Sequence, residues 1–336
     1  MNNLSFDEQI DVLKFLNYDQ LFSLKQTNHY FNLLIEQNKW ILALKEIYNL
    51  TIYESKDDSL KCVKLIEPIP NVVHYPLNEG LLKKWQSAID AQIPLYLFNL
   101  NSKYSKDSIF YLLFSDGDNY LKLILPNYPK NIEEMKIICF WLEQLFCSSF
   151  KVAWFYNVIF NPEIIKLIFE NHKVNSPRFY FQKLSRPIYL CELIYKNQFN
   201  FINNNLITTN DISLIFEYME EEKINYLFKL LINSGKRIPS VYIPKINDPL
   251  KLYYLIVNHI KTSSLCSEIV PNIRISPIIC KKMEINNADK IVMNKDNNIV
   301  LCEYTNIYNS KIKFLVNFDY SWFHNELSSI TIKRFK

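Results

Sequence analysis

The side chains that could hold a metal or act in catalysis are scattered along this sequence. No two of the five histidines are four residues apart, the spacing that puts two ligands on one helix face. They are His29, His74, His172, His259 and His324. No cysteine or carboxylate completes a ligand set around them, so each is interpreted as an ordinary surface or core histidine. No metal site is predicted.

Two clusters of carboxylates resemble parts of known sites. Asp116-Gly117-Asp118-Asn119 resembles the start of a calcium loop without its later ligands, so a hairpin turn is predicted. Glu217 and residues 220–222 could supply an acid and a base. Adjacent carboxylates on a helix point in different directions, so a solvated face is the better interpretation.

Only three glycines occur, Gly80, Gly117 and Gly235. Phosphate-binding loops, dinucleotide fingerprints and nucleophile elbows need closely spaced glycines, because only glycine lets the backbone approach a ligand so closely. The sequence therefore excludes these motifs. Neither a catalytic residue nor a cofactor is predicted, and an enzyme of another kind stays open as a hypothesis.

Composition predicts a globular intracellular protein. Of 336 residues, 49% are hydrophobic and 21% charged, which is too apolar for a disordered chain. The 38 basic and 34 acidic residues nearly balance, so no basic footprint for nucleic acid is present. We expect neither secretion nor membrane insertion, because no signal-like leader and no uncharged apolar stretch of about 18 residues occurs. Cytoplasmic or nuclear localisation, or both, is predicted.

The cysteines are predicted to be buried free thiols in a reducing compartment. They are widely spaced, without a Cys-x-x-Cys pair, whereas a disulfide framework or a zinc site needs a tighter pattern. They are Cys62, Cys139, Cys147, Cys191, Cys266, Cys280 and Cys302.

The N-terminal residues have the pattern of three short helices. Ser5 with Glu8, and Asn17 with Gln20, are the residue pairs of capping boxes. Apolar residues at helical spacing follow: Ile10, Leu13, Leu16, Leu21, Leu24, Tyr30, Phe31, Leu34 and Ile35. So short a segment cannot bury all of them, and apolar surface is predicted to remain for a partner.

The middle of the chain alternates between helix and strand patterns. Helices are predicted over residues 40–48, 77–91, 131–146, 162–172, 224–234 and 250–261. Strands are predicted over residues 95–100, 108–114, 120–125, 154–160, 178–182, 241–244 and 273–275. This alternation indicates parallel strands packed on helices. The strand spacing, about 20 to 35 residues, overlaps that of leucine-rich repeats without their leucine–asparagine signature.

The C-terminal end has strand patterns only, over residues 290–293, 299–303, 312–317 and 328–333. The predicted fold is of the α+β or α/β class. Three helices occupy residues 1–48, and a linker with a helical connector occupies residues 49–93. An irregular leucine-rich-repeat-like α/β domain then occupies residues 94–336 and ends in antiparallel strands from about residue 285.

Residues 4–40 resemble the F-box. Leu4-Ser5-Phe6 and Gln9-Ile10 are followed by Leu13-Lys14-Phe15-Leu16, Asp19 to Asn28, Tyr30-Phe31, Leu34-Ile35 and Trp40. Two leucine-bearing helices, a short polar turn, an aromatic-bearing helix and a trailing tryptophan are that family's ordering. Ser5 is a departure, since F-boxes usually have proline there, but serine preserves the local geometry as a helix cap.

The rest of the chain resembles the long C-terminal regions of lineage-expanded nematode F-box proteins. The stretches that carry this resemblance are residues 125–135, 141–146, 161–163 and 306–311. By analogy, these regions imply binding of a target protein.

The resemblance implies the substrate receptor of a Skp–cullin–F-box (SCF) ubiquitin ligase. The residues that would contact the Skp-type adaptor are Leu4, Phe6, Ile10, Leu13, Leu16, Leu21, Leu24 and Phe31. A cullin would bind through the adaptor, and a target protein would bind the C-terminal domain. Such a receptor contributes no chemistry and is expected to be a monomer outside the complex. The alternative is an interaction scaffold that acts outside any cullin complex.

Overall fold

The computed structural model describes residues 4–55, 64–66, 78–98, 109–116, 119–155, 158–170, 177–216, 219–278, 280, 288–294, 298–321 and 326–335. They fall in two compact units. The first comprises Met1–Leu95, Ile109–Ala153 and Glu163–Phe181, and the second comprises Tyr96–Ser108, Trp154–Pro162 and Gln182–Lys336.

The described helices are α1 (Phe6–Lys14), α2 (Tyr18–Lys25), α3 (His29–Asn38), α4 (Glu79–Asp90), α5 (Ile132–Phe146), α6 (Pro162–Phe169), α7 (Tyr195–Asn205), α8 (Glu221–Asn233) and α9 (Pro249–Thr262).

The described strands are β1 (Lys45–Ser55), β2 (Lys64–Ile66), β3 (Tyr96–Phe98), β4 (Ile109–Asp116), β5 (Asn119–Ile124), β6 (Ser148–Phe155), β7 (Val158–Phe160), β8 (Phe179–Leu184), β9 (Ile188–Leu190), β10 (Leu206–Thr208), β11 (Asp211–Phe216), β12 (Ser240–Ile246), β13 (Asn272–Pro277), β14 (Lys290–Asn294), β15 (Ile299–Thr305), β16 (Lys313–Tyr320) and β17 (Leu327–Arg334).

The first unit is built on a mixed sheet in which strands follow the order β8-β6-β1-β4-β5-β2. β1 pairs antiparallel with β4. β4 also pairs antiparallel with β5, as the predicted hairpin requires. The side chain of Asn131 caps α5, accepting the Glu134 N–H at 2.9 Å. The rings of Phe150 and Phe179 stack in the core, with centroids 4.9 Å apart.

The second unit is built on a sheet in the order β14-β15-β16-β17-β13-β12-β11-β9. β9, β11, β12 and β13 are parallel neighbours, and α7, α8 and α9 lie between them in the chain. β13 then pairs antiparallel with β17, and the strands out to β14 are all antiparallel. The parallel strands carry fully buried aliphatic side chains such as Leu214, Val241 and Ile273.

The mixed α/β class and the three N-terminal helices are confirmed, and the antiparallel C-terminal strands form as predicted. The helix predicted over residues 40–48 is wrong, because β1 begins at Lys45. β1 pairs with a strand some sixty residues later, where Leu50 and Ile52 face Phe114 and Leu112. Helix α6 ends at Phe169 rather than near residue 172.

Several predicted features lie outside the described residues. These are Cys62, three histidines (His74, His172 and His324), Glu217, and the turn residues Gly117 and Asp118. The six remaining cysteines are free thiols. In the part of the chain that is described, no helix is long and apolar enough to cross a membrane.

Candidate functional site

The three N-terminal helices begin at side-chain caps. Ser5 is the N-cap of α1, and its N–H donates to the Glu8 carboxylate at 2.7 Å. Asn17 and Gln20 make the same reciprocal pair at α2, with distances of 2.9 and 3.0 Å. Both capping boxes are as predicted. Asn28 caps α3 as well, through the Phe31 N–H at 3.0 Å.

These helices enclose a small core of their own. Its buried members are Ile10, Leu13, Leu21, Leu34, Ile35 and Leu42, with Leu16, Leu24 and Phe31 packed against it and partly buried. We call residues 4–43 the N-terminal helical segment. Three capped helices around their own core hold its surface in a defined shape.

Burial divides the predicted contact set into two groups. Ile10, Leu13 and Leu21 are almost completely buried among the helices, so they cannot touch a partner in this conformation. They fold the segment instead of forming its surface. Leu4 and Phe6 are exposed, as a contact role requires, and Leu16, Leu24 and Phe31 keep part of their surface accessible.

The segment also exposes large apolar side chains that were not among the predicted contacts. Phe15, the residue that follows α1, is 89% exposed, and Val12 lies three residues before it on the same side. Further exposed members are Phe22, Tyr30, Leu33 and Ile41. A helical wheel of α1 would have found Phe15 and Val12, because both lie opposite the stripe of Ile10 and Leu13.

Polar contacts fix the start of this surface. The buried side chain of Gln9 donates to the Leu4 carbonyl at 2.9 Å and accepts a hydrogen bond from the Tyr30 hydroxyl. The residues before α1 are thereby tied to α3. A shallow depression runs along α2 from the turn before it to Thr27, and Leu16 and Leu24 are its apolar lining. Its rim is polar, made of Asn17, Asp19, Gln20, Ser23 and Thr27.

The segment is anchored to the rest of the first unit at its C-terminal end. The Lys39 ammonium lies 2.8 Å from the Glu143 carboxylate of α5, and the Trp40 ring packs edge-on against Phe169 at 5.5 Å. Burial acts to lower the pKa of Lys39, but the Glu143 carboxylate outweighs it and the pKa is raised. Lys39 therefore stays charged at neutral pH.

A cavity of about 260 Å³ lies beside this anchor. Tyr18, Phe22, Lys39, Lys45 and Cys147 are among its lining residues. Burial raises the pKa of the Cys147 thiol to about 12, so this cysteine is protonated and unreactive at neutral pH.

Several ionisable residues elsewhere form surface ion pairs. Glu221 and Glu222, from the acidic run, lie 2.6 Å from Lys251 and 2.8 Å from Lys196. Among the described residues, no group of histidine, cysteine and carboxylate side chains is arranged to hold a metal ion. The N-terminal helical segment therefore remains the candidate functional site.

Residues 66–217 match a family model described as a domain of unknown function (DUF8381). The match covers less than half of the chain and begins after the N-terminal helical segment. No curated protein and no solved structure matches the chain.

Proposed function

We propose that this chain is the substrate receptor of an SCF-type ubiquitin ligase and that its N-terminal helical segment binds a Skp-type adaptor. One observation carries the proposal: three capped helices close around their own core and still leave Phe6, Val12 and Phe15 uncovered. Covering a large apolar side chain contributes about 1.5–3 kcal/mol before ordering costs. A few such anchors dominate most interfaces.

Backbone geometry at Ser5 supports the F-box resemblance. Its φ of −62° lies within the range that a proline ring imposes, about −65°. The φ angle at this position is therefore one that proline can adopt, although a proline would lack the N–H that Ser5 donates to Glu8. The serine side chain adds a helix cap.

The contact set follows from exposure. Leu4, Phe6, Val12 and Phe15 would meet the adaptor directly, with Leu16 and Leu24 lining the neighbouring depression. Ile10, Leu13 and Leu21 would act by holding the helices in place.

The second unit supports a target-binding role. Its parallel strands advance by 26 residues from Ile188 to Leu214, by 29 from Asp211 to Ser240 and by 32 from Ser240 to Asn272. Neighbouring strands joined through helices, at steps of this length, are typical of repeat-like α/β arrays, which recognise partners over extended surfaces. The receptor would accelerate ubiquitin transfer by proximity alone.

The experiment is a calorimetric titration of a purified Skp-type adaptor with the full chain. We expect wild type to bind and both Phe6→Glu and Phe15→Lys to weaken binding about tenfold or more, because each places a charge where apolar contact forms. Leu82→Lys, at an exposed leucine of α4, is the matched control and should bind as wild type does.

Absence of wild-type binding would refute the adaptor role. A chain that binds target proteins without any adaptor would then be the interaction scaffold.

A further inference from the structure

The loop between β15 and β16 is held by one buried side chain. Asn306 is only 2% exposed. Its amide nitrogen donates to the carbonyl oxygens of Ile260 at 2.7 Å and Ser263 at 2.8 Å. Its amide oxygen accepts the N–H groups of Tyr308 and Asn309, each at 2.9 Å. All four hydrogen-bonding positions of this amide are therefore used.

Backbone hydrogen bonds fix the same loop. The Ile307 N–H donates to the Lys261 carbonyl at 3.1 Å, which ties the loop to α9. The Asn306 N–H donates to the Ile312 carbonyl, and the Ile312 N–H donates to the Asn309 carbonyl. A loop bound at both ends has little conformational freedom left to lose when it binds a partner.

This rigid loop presents apolar side chains to solvent. Ile307 and Tyr308 are each 67% exposed, and Leu265, in the turn after α9, is 63% exposed. Leu265 lies two residues after Ser263, one of the two carbonyls that hold Asn306. We call these three side chains the α9-end patch. Pre-organised aromatic side chains such as Tyr308 are common anchors of protein recognition.

Among the described residues around the patch, the acidic side chains are paired with lysines and one lysine has no ionic partner. Glu268 is paired with Lys236 at 2.8 Å, and Glu303 is paired with Lys313 at 2.6 Å. Asp289 accepts the Thr305 N–H and lies 3.6 Å from Lys261. Within the described part of the chain, Lys311 has no ionic partner. A surface that meets the patch therefore fits best if it carries carboxylates at its border.

We propose that the α9-end patch is the surface by which the second unit recognises the target, and that the target offers an apolar pocket bordered by acidic side chains. This inference rests on the proposed receptor function, and it names the recognition surface, which that function leaves open. Tyr308 and Ile307 would enter the pocket, and Lys311 would face the carboxylates at its border.

The test starts with photo-crosslinking in the full chain bound to its adaptor. Benzoylphenylalanine replaces Tyr308, and in the control it replaces Tyr254, which is exposed on α9 outside the patch. The protein crosslinked from position 308 in a lysate is then purified, and its affinity for wild type and variants is measured. The result is judged by comparing the affinities of the crosslinked protein for wild type and for the variants, and not by its capture.

We expect Ile307→Asp combined with Tyr308→Ser to weaken target binding about 30-fold or more, as loss of a hot spot does. Tyr308→Phe should retain binding, because the ring makes the contact. Adaptor affinity measured on the same variants should equal that of wild type. The proposal is overturned if the double variant binds the target unchanged, or if position 308 crosslinks only a second copy of the chain.

The two proposals fail separately in this design. If wild type does not bind the adaptor, the receptor function is refuted, whatever the effect of the patch variants on target binding. If wild type binds the adaptor but the patch variants bind the target as tightly as wild type does, only the assignment of the patch is refuted.

Discussion

The Lys39 ammonium lies 2.8 Å from the Glu143 carboxylate, and this ion pair joins the end of α3 to α5. The two side chains are 24% and 11% exposed, so removing the lysine leaves a carboxylate that water reaches poorly. We expect Lys39→Met to lower the free energy of unfolding by about 2–3 kcal/mol, measured by urea denaturation. The matched control is Lys14→Met, which breaks the exposed Lys14–Asp11 pair and should change stability by less than about 0.5 kcal/mol. Equal effects of the two substitutions would show that the buried pair contributes nothing special.

Gly235 is required by a close backbone approach. Its N–H donates to the Glu268 carbonyl at 2.7 Å, and a Cβ atom there would lie 2.2 Å from the Ile269 carbonyl oxygen. We expect Gly235→Ala to destabilise the protein by about 2 kcal/mol or more, because two backbone segments must separate. Gly80→Ala is the control, since its nearest contact is 3.4 Å and α4 should gain up to about 1 kcal/mol. Melting temperatures that shift in the same direction for both variants, relative to wild type, would contradict this account.

The capping box of α1 predicts a pH dependence. Hydrogen bonds from the Ser5 N–H and the Ser5 hydroxyl hold the pKa of Glu8 below its ordinary value of 4.5. Because the folded-state pKa is lowered, the stabilisation is present above pH 4.5 and is lost as the pH falls through the folded-state value. We expect Glu8→Gln to lower the urea midpoint at pH 7 and to lower it less at pH 3. If the difference in urea midpoint between wild type and Glu8→Gln does not change with pH, the Glu8 carboxylate is not the source of the stabilisation.

The buried hydroxyls of Tyr253 and Tyr304 lie 2.6 Å apart. Burial raises the pKa of both, that of Tyr304 to about 12. We expect Tyr253→Phe to cost about 1–2 kcal/mol, because the Tyr304 hydroxyl loses its partner. The double variant with Tyr304→Phe should recover part of that loss. Chemical denaturation of all four proteins measures the coupling, and strictly additive losses would contradict it.

Local signals predicted the N-terminal helices well. Ser5, Asn17 and the periodic leucines act on residues only a few positions away, so a local sequence pattern is enough to predict these helices. The same holds for the β4–β5 hairpin and the terminal antiparallel strands, whose partners are neighbours in the chain.

Long-range pairing was not visible from the sequence. The helix predicted over residues 40–48 rested on local apolar spacing. Residues 45–48 instead begin β1, which pairs with β4 some sixty residues later. Helix α7 escaped prediction because its asparagine-rich sequence has low helix propensity and packing on α8 stabilises it. The exposed apolar surface was predicted, but not all of the side chains that form it, because Ile10, Leu13 and Leu21 are buried in the core of the segment.

Hydroxyl-radical footprinting of the full chain, with and without a purified Skp-type adaptor, tests the central claim most directly. It reports how accessible individual side chains are to solvent. We expect oxidation of Phe6 and Phe15 to fall at least about fivefold when the adaptor binds, since large apolar anchors are covered at an interface. Tyr120, exposed on β5, should stay unchanged. A complex that forms while Phe6 and Phe15 remain fully reactive would contradict the account.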